Sequence, residues 1–237
     1  MSVVPGTLYL VPSPLGEGEL DRVIPSKVAE LLCSLQLFFA EELRTVRRYL
    51  SKAGLKGKLD SVQMFELNEH TGLQEIEGYL NMLLEGRDAA LVSEAGLPAV
   101  ADPGAQLVAL AHKYDVRVVP LSGPSSLMMA LMSSGLNGQC FAFTGYLPVK
   151  SAERRDKIKT IERISLQLNQ SQIIIETPYR NQSLFEELLA LCNPRTRLCV
   201  AANITMEDEF IKTKTVAQWR NSHMVIGKRP CVFVLMA

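Results

Sequence analysis

The sequence predicts an α/β protein with two α/β domains, a mostly parallel sheet in the N-terminal domain and a mixed sheet in the C-terminal one. Three observations predict this. Short apolar runs of strand character alternate with segments of helical spacing. Two turns rich in Gly and Pro each follow such a run and precede a helical segment. Beyond residue 138 the strands follow one another without long helices between the last of them, which is typical of antiparallel pairs.

The first part of the chain predicts strands and helices in alternation. Each predicted strand is a short run dominated by apolar residues, and each predicted helix repeats its apolar residues every three or four positions. The predicted strands are residues 7–11, 37–40, 60–67, 89–92 and 116–120. The predicted helices are residues 20–33, 42–52, 73–85, 106–114 and 125–134.

A cluster of turn-forming residues at 133–139 predicts the domain boundary. The N-terminal domain is therefore expected to comprise residues 1–138 and the C-terminal domain residues 139–237. In the second domain the predicted strands are residues 140–144, 172–175, 198–202, 210–214 and 231–236. Its predicted helices are residues 152–164 and 184–191.

Composition narrows the class of protein. The 237 residues are 47% hydrophobic, and 25 basic side chains balance 25 acidic ones. This neutrality argues against a non-specific nucleic-acid binder, although it allows a local basic face. No apolar stretch reaches the roughly 18 residues that a membrane-spanning helix needs. Because residues 1–6 also lack the basic head and apolar core of a signal peptide, we expect a cytoplasmic protein with no membrane partner.

The cysteines and histidines predict neither a disulfide framework nor a metal site. Five cysteines are an odd number, and no two of them form a C-x-x-C pair. The three histidines, His70, His112 and His223, are far apart in the sequence and share no spacing typical of metal ligands. We therefore expect the cysteines to be mostly small core residues.

The two Gly/Pro-rich turns, residues 93–104 and 121–126, are the strongest functional signal. Ligands of open α/β sheets bind at the carboxyl ends of strands, and small residues there let the backbone approach a ligand closely. Neither turn contains an obvious nucleophile or a set of metal ligands. The pattern predicts a site that holds a cofactor largely by its backbone.

Six segments, in order along nearly the whole chain, resemble the tetrapyrrole methylase-like superfamily, the class III S-adenosylmethionine-dependent methyltransferases. Residues 93–104, SEAGLPAVADPG, are similar to the family pattern S-D-A-G-T-P-x-x-x-D-P-G, and residues 118–126 are similar to V-V-P-L-P-G-P-S-A. The remaining similar segments are residues 8–16, 40–44, 145–155 and 176–180. Within the superfamily, the chain is most similar to the branch that methylates a cytidine 2′-hydroxyl in small-subunit ribosomal RNA.

The resemblance implies two α/β domains, a homodimer, and S-adenosylmethionine bound in the cleft between the domains. It implies an RNA substrate that is methylated at a ribose 2′-hydroxyl of ribosomal RNA. The cofactor-binding residues that we expect are Pro12, Glu94, Ala95, Gly96, Leu97, Val100, Ser125, Ser126, Tyr146 and Ala202. The expected RNA-binding residues are Arg44, Arg154 and Arg155.

The chain departs from the family pattern mainly at polar residues on the substrate side. Glu17 stands where the family has Asn, Leu43 where it has Thr, and residues 201–206 read AANITM where it has roughly A-R-E-L-T-K. Two alternatives therefore stay open at this point. One is a methyltransferase that acts on a small molecule such as a tetrapyrrole. The other is a dimer that binds the cofactor without catalysing transfer.

Simpler roles compete with several of these assignments. Ser125 and Ser126 are also suited to cap the helix that follows them. Methyl transfer to a hydroxyl can use a base, for which the sequence offers Glu17, Glu41 and His70, although a surface charge or a satisfied structural group is the commoner role for each. The catalytic residue is therefore not identified by the sequence.

Overall fold

The computed structural model describes residues 3–237 and divides into two compact units, one ending at Ser125 and the other formed by Ser126–Ala237. Met1 and Ser2, which belong to the segment that predicted the absence of a signal peptide, lie outside the described residues. The division falls earlier in the chain than residue 138, where the sequence predicts the boundary.

The first unit is built on a parallel five-stranded sheet with the strand order β3-β2-β4-β1-β5. Its strands are β1 (Thr7–Val11), β2 (Leu37–Ala40), β3 (Gln63–Glu66), β4 (Ala89–Val92) and β5 (Arg117–Pro120). Its helices are α1 (Ser26–Ser34), α2 (Leu43–Leu50), α3 (Leu73–Leu84) and α4 (Ala105–Lys113). The parallel sheet that the sequence predicts is confirmed.

Helices cover both faces of this sheet. Apolar residues of α1 and α2, such as Leu32 and Leu50, pack with Phe38 on one face. Residues of α3 and α4, such as Leu83 and Leu107, form a separate core on the other face. Because both faces are covered, β2 and β4 are buried along their whole length, and they read as continuous apolar runs in the sequence.

Two predicted helices are shorter than expected. The helix predicted over residues 20–33 begins only at Ser26, after a 3₁₀ turn at Leu20–Arg22, because Pro25 cannot donate a backbone hydrogen bond within a helix. The α2 helix ends at Leu50 and continues as a π-helical turn over Ser51–Leu55. Gly54 departs from helical geometry there, with φ of 118°.

The second unit contains a mixed five-stranded sheet with the order β6-β7-β10-β8-β9, in which only β6 and β7 pair in parallel. This confirms the mixed sheet that the sequence predicts. The strands are β6 (Phe141–Tyr146), β7 (Ser171–Ile175), β8 (Arg197–Ala202), β9 (Phe210–Thr215) and β10 (Cys231–Met236). The helices are α5 (Ser126–Ser134), α6 (Ser151–Leu168), α7 (Asn181–Leu191) and α8 (Val216–Arg220).

The position of α5 explains where the chain divides. Its residues Leu127 and Leu131 are buried, and the helix lies against β8, β9 and β10 of the second sheet. The Thr213 hydroxyl donates a hydrogen bond of 2.7 Å to the Ser134 carbonyl. The α5 helix therefore belongs structurally with the second sheet, although the boundary predicted from the sequence places it in the first domain.

Candidate functional site

The loops that follow β1 and β4 are joined at the carboxyl edge of the first sheet. The Ser13 amide donates to the Gly96 carbonyl at 2.8 Å, and the Gly96 amide donates back to the Ser13 carbonyl at 3.1 Å. The buried Ser13 hydroxyl also donates to the Ser93 carbonyl at 2.8 Å. These three bonds fix the start of the 93–104 loop beside the end of β1.

The 93–104 loop adopts several left-handed backbone conformations. Gly96 and Gly104 have φ values of 80° and 120°. Ala99 and Ala101 also have positive φ, 63° and 64°, which costs a residue with a Cβ roughly 1–2 kcal/mol each. Such conformations persist only where the surrounding structure enforces them, and they are concentrated at functional sites. The loop is therefore held in a specific shape at an energetic cost.

Pro12 lies between this edge and the loop after β5. Its carbonyl accepts a hydrogen bond of 3.0 Å from the Tyr49 hydroxyl, whose pKa is raised by burial. A Cβ added to Gly123 would lie 2.2 Å from Pro12 Cγ, so only glycine lets the 121–125 segment pass so close. Pro12 thus acts here as a buried spacer between two loops.

The residues predicted to contact a cofactor in the 93–104 loop differ in exposure. The side chains of Glu94, Ala95 and Val100 are exposed, with Val100 43% accessible, whereas Leu97 is half-buried and Gly96 is buried. The exposed members give the loop a surface with one carboxylate and small apolar groups. That surface is accessible from solvent.

Carboxyl groups from two loops lie together at this edge. The half-buried Glu41, which directly follows β2, accepts a hydrogen bond of 2.8 Å from the Glu94 amide. Burial raises the pKa of Glu41, and the negative charges of Glu94 and Glu69 add to the rise. Burial, and then the charge of Glu41, raises the pKa of Asp102 to about 7. The edge therefore combines negative potential with a carboxyl group that titrates near neutrality.

Asp102 is not among the site residues predicted from the sequence. It belongs to the 93–104 segment that carries the resemblance, and this position could have identified it as a candidate site residue. Its burial and its proximity to Glu41 follow from the fold, however, and no spacing in the sequence predicts them. Of the three base candidates from the sequence, Glu17 and His70 are exposed, whereas Glu41 is half-buried and its burial raises its pKa.

The predicted residues of the second unit lie at the ends of its strands. Strands β6, β7 and β8 run in the same direction, so their carboxyl ends share one edge of the second sheet. Tyr146 ends β6 and is 56% exposed, whereas Ala202 ends β8 and is fully buried. Ser126 begins α5, and Ser125 is the last residue of the first unit.

Polar groups without partners lie at the same edge of the second sheet. The buried Glu176 carboxylate accepts hydrogen bonds from Arg180 Nη2 and the Thr177 amide, both at 2.6 Å. The neighbouring Arg180 Nε, Asn181 Oδ1 and Asn203 Oδ1 are buried and make no hydrogen bond within the chain. Asn203 stands in the segment that departs from the family pattern, and its φ is 50°.

The arginines predicted to contact RNA differ in their surroundings. The Arg154 guanidinium forms a bidentate ion pair with Glu187, with nitrogen–oxygen distances of 2.8 and 2.5 Å, and also donates to the Val149 carbonyl. Its side chain is only 11% exposed. Arg44 and Arg155 are exposed. The Arg154 side chain is therefore engaged in an ion pair that joins α6 to α7, whereas Arg44 and Arg155 are accessible to solvent.

Within residues 3–237, no group of three or more His, Cys, Asp or Glu side chains could hold a metal ion. No helix in that range is both long and apolar enough to cross a membrane.

Comparison with known protein families gives a match over most of the chain. The sequence model of the Tetrapyrrole (Corrin/Porphyrin) Methylases matches residues 7–219.

Curated relatives agree in name. "Ribosomal RNA small subunit methyltransferase I" of Neisseria meningitidis serogroup A is 36% identical over 220 residues, which are 92% of this chain and 70% of the relative. The protein of the same name from Vibrio cholerae is 32% identical over 89% of this chain and 69% of its own length. The Escherichia coli O157:H7 protein is 34% identical over 90% and 70%, respectively.

Solved structures share the fold at low sequence identity. The methyltransferase CobJ matches with a TM-score of 0.66 and 14% identity, over 98% of this chain and 94% of that one. Uroporphyrin-III C-methyltransferase from Thermus thermophilus, complexed with S-adenyl homocysteine, matches with a TM-score of 0.58 and 18% identity, over 98% and 97%. At these identities the likeness concerns the fold alone.

Proposed function

The chain belongs to the tetrapyrrole methylase family and is a methyltransferase, and from this premise we propose that it transfers a methyl group from S-adenosylmethionine to RNA. The target is a ribose 2′-hydroxyl of small-subunit ribosomal RNA. The observation that carries the proposal is the similarity to the curated ribosomal RNA methyltransferases, which is above 30% over about nine-tenths of the chain. The left-handed backbone conformations of the 93–104 loop, which are typical of functional sites, also support the proposal.

The residues at the first edge fit this cofactor. S-adenosylmethionine supplies an activated methyl group on a positively charged sulfur, and its amino group is also cationic. The carboxylates of Glu41 and Glu94 give the edge a negative potential that favours such a ligand. Ala95, Gly96, Leu97 and Val100 offer backbone groups and small apolar side chains, so they surround a ligand without excluding it.

In this reaction the protein aligns the methyl donor with the acceptor hydroxyl and provides a group that accepts the proton of that hydroxyl. Holding donor and acceptor at reacting distance supplies much of the acceleration in a direct displacement. The acceptor hydroxyl must lose a proton, and a group with a pKa near neutrality is best matched to receive it. Asp102, with its pKa raised to about 7, has that property at the edge where we place the cofactor.

The remaining predicted residues complete the proposal. The buried Pro12 keeps the loops after β1 and β5 apart, and Ser125, Ser126 and Tyr146 contact the cofactor. Ala202 was expected to contact it as well, but it is fully buried and supports the end of β8 instead. Arg44 and Arg155 contact RNA phosphates, because both are exposed cations. Arg154 contributes to RNA binding by holding the start of α6, where Arg155 lies, in place through Glu187.

We further propose that the protein is a cytoplasmic homodimer. All five cysteines are free, as expected in a reducing compartment, where ribosomal RNA is also found. On the edge strand β6, Phe141 and Phe143 are 40% and 39% exposed, an apolar area that a second copy can cover. Light scattering of wild type and of a Phe141→Ser, Phe143→Ser variant tests the dimer, since the variant should be more monomeric.

The cofactor assignment is tested by calorimetric titration with S-adenosylhomocysteine, the product of methyl transfer. We expect about one molecule bound per subunit, and weaker binding to Ala95→Trp and Ser125→Trp, because the indole would occupy the ligand surface. Ala109→Trp, at an exposed position of α4, is the matched control and should bind normally. Absence of binding by folded wild-type protein would contradict the proposal.

The substrate assignment is tested by transfer of labelled methyl groups to RNA from cells that lack the gene. We expect label in small-subunit ribosomal RNA, at a 2′-hydroxyl. Arg44→Ala and Arg155→Ala should raise KM for RNA without changing the affinity for S-adenosylhomocysteine. Label on a tetrapyrrole instead of RNA would favour the small-molecule alternative, and firm cofactor binding without any transfer would favour the non-catalytic one.

A further inference from the structure

Positive charge is concentrated in one segment of the first unit. Residues 43–60 contain six basic side chains and one acidic one, although the whole chain has 25 of each. We call these six residues the α2 strip: Arg44, Arg47, Arg48, Lys52, Lys56 and Lys58. Such a local excess in a neutral protein favours a positive potential over this segment.

The structure separates this segment into two faces. Val46, Tyr49, Leu50, Ala53 and Leu55 are buried and pack toward the first sheet. All six basic side chains of the α2 strip are exposed. The positive charges therefore face solvent together, because the apolar face of α2 and of the π-helical turn fixes the orientation of the segment.

Ion pairs neutralise little of the charge of the strip. Among the described residues, Arg47 is the one member of the strip in an ion pair, with a distance of 3.1 Å to Asp60. The Asp60 side chain is fully exposed, so solvent and salt weaken this pair. The nearby Glu42 carboxylate accepts hydrogen bonds from the amides of Arg44 and Thr45, which directs it to the helix N-terminus.

The strip has a defined border. An open groove beside Lys52 is also lined by Glu19, Asp21 and Glu30 on the side of α1. These three carboxylates would repel a polyanion. The electrostatically favourable surface therefore runs along α2 and its continuation, and ends where α1 begins.

We propose that the α2 strip is a docking surface for the phosphate backbone of the RNA substrate, a role that rests on the proposed function. Arg44, Arg48 and Lys52 follow one another at four-residue spacing and cover about 12 Å of helical length. A row of this length is suited to successive phosphates of one strand more than to a single anion. Lys56 and Lys58 extend the row beyond the π-helical turn.

The strip is tested by a double charge reversal, Lys52→Glu with Lys56→Glu. The probe is a fluorescein-labelled fragment of small-subunit ribosomal RNA, titrated at several potassium chloride concentrations. We expect at least about tenfold weaker binding, and a slope of log affinity against log salt smaller by about 1.4, since each lost phosphate contact on a single strand contributes about 0.7. The affinity for S-adenosylhomocysteine should not change.

The matched control is Lys113→Glu with Arg117→Glu. It makes the same change in net charge in the same unit, but Lys113 lies at the end of α4, which packs on the opposite face of the sheet. We expect RNA binding close to wild type. Equal losses in both double variants would mean that only overall charge matters, and would overturn the assignment of a specific surface.

Two further outcomes separate this inference from the proposed function. Methylation of RNA by wild type, with unchanged RNA affinity in the Lys52, Lys56 variant, would overturn the strip and leave the function intact. RNA binding that depends on the strip, without methyl transfer, would retain the strip and contradict the function. Vesicles that contain phosphatidylserine are the competitor, and binding to them in preference to RNA would assign the strip to a membrane surface instead.

Discussion

At Asp102, a carboxyl group is placed where its neutral form is favoured. Burial and the charge of Glu41 both disfavour ionisation, while a hydrogen bond with Ser93 offsets part of the effect. Free carboxyl groups titrate near pH 4, so this side chain binds its proton far more tightly in the folded protein than in the unfolded chain. The folded state therefore loses stability as the pH rises through this range.

We predict the consequence for the pH dependence of unfolding. Because the folded pKa of about 7 lies above the ordinary 3.8, the contribution of Asp102 to stability falls between about pH 4 and pH 7 and is constant above that. Asp102→Asn removes this pH-dependent contribution to stability and keeps an acceptor for the Ser93 hydroxyl. The variant should be more stable than wild type at pH 8 by about 2 kcal/mol, roughly half the full linkage value because the side chain is partly exposed.

Urea unfolding of both proteins between pH 4 and pH 8 measures this difference. The titration of Glu41 affects both proteins, so the comparison between them reports on Asp102. Parallel stability curves for the two proteins would show that Asp102 ionises normally.

Gly123 offers a second prediction for a single residue. A Cβ at this position would lie 2.2 and 2.3 Å from two carbons of the Pro12 ring, so Gly123→Ala forces the two loops apart. We expect a loss of about 1–3 kcal/mol of stability and weaker binding of S-adenosylhomocysteine. Gly138→Ala, where no heavy atom lies within 4 Å of the added Cβ, is the control. A melting temperature unchanged in Gly123→Ala would contradict the close packing.

Among the elements, α6 carries two adjacent arginines in different surroundings. Arg154 is bound to Glu187 of α7 and to the Val149 carbonyl, whereas Arg155 is exposed. Arg154→Ala leaves the Glu187 carboxylate, 23% exposed, without its partner. We expect a loss of about 2 kcal/mol of stability, below the value for a fully buried pair.

Arg155→Ala should change stability by less than about 0.5 kcal/mol. It should weaken RNA binding instead. Thermal unfolding followed by circular dichroism, combined with the RNA titration described above, distinguishes the two variants. The reverse result, with Arg154→Ala stable and Arg155→Ala unstable, would contradict the ion-pair geometry.

Local sequence patterns predict most of the helices and strands, but not all of them. The strands and the longer helices follow from apolar runs and helical spacing, as β4 and α3 illustrate. The short α8 was not predicted, because its five residues are too few to show a period, and it forms through a capping box between Thr215 and Gln218 and the burial of Trp219. The backbone strain at Ala99 and Ala101 was not predicted either, since alanine gives no signal for positive φ.

For the whole molecule, the sheet types and the family follow from the sequence, whereas the contacts of α5 do not. Residues 126–134 have an apolar surface that would suit either sheet. Because Leu127 and Leu131 are buried beside β8, β9 and β10, the helix packs on the second sheet. These strands lie more than 60 residues away along the chain. The same limitation applies to Asp102 and Arg154, whose roles depend on residues distant in sequence.

A prediction about fragments follows from this placement of α5. The fragment 126–237 keeps the helix that covers the second sheet, and the fragment 139–237, which begins at the boundary predicted from sequence, lacks it. We expect the longer fragment to unfold cooperatively and the shorter one to be substantially less stable, because it exposes the apolar face that α5 buries. Thermal unfolding of both fragments measures this, and equal melting temperatures would favour the later boundary.

The central position of β10 has a consequence for synthesis on the ribosome. This strand lies between β7 and β8, yet it is translated after every other strand of its sheet. Until it emerges, β7 and β8 both present open, apolar edges, which invite pairing with other nascent chains. A polypeptide released by a ribosome that stalls before residue 231 would therefore lack the central strand of its second sheet. Chaperones and proteases would be expected to bind it.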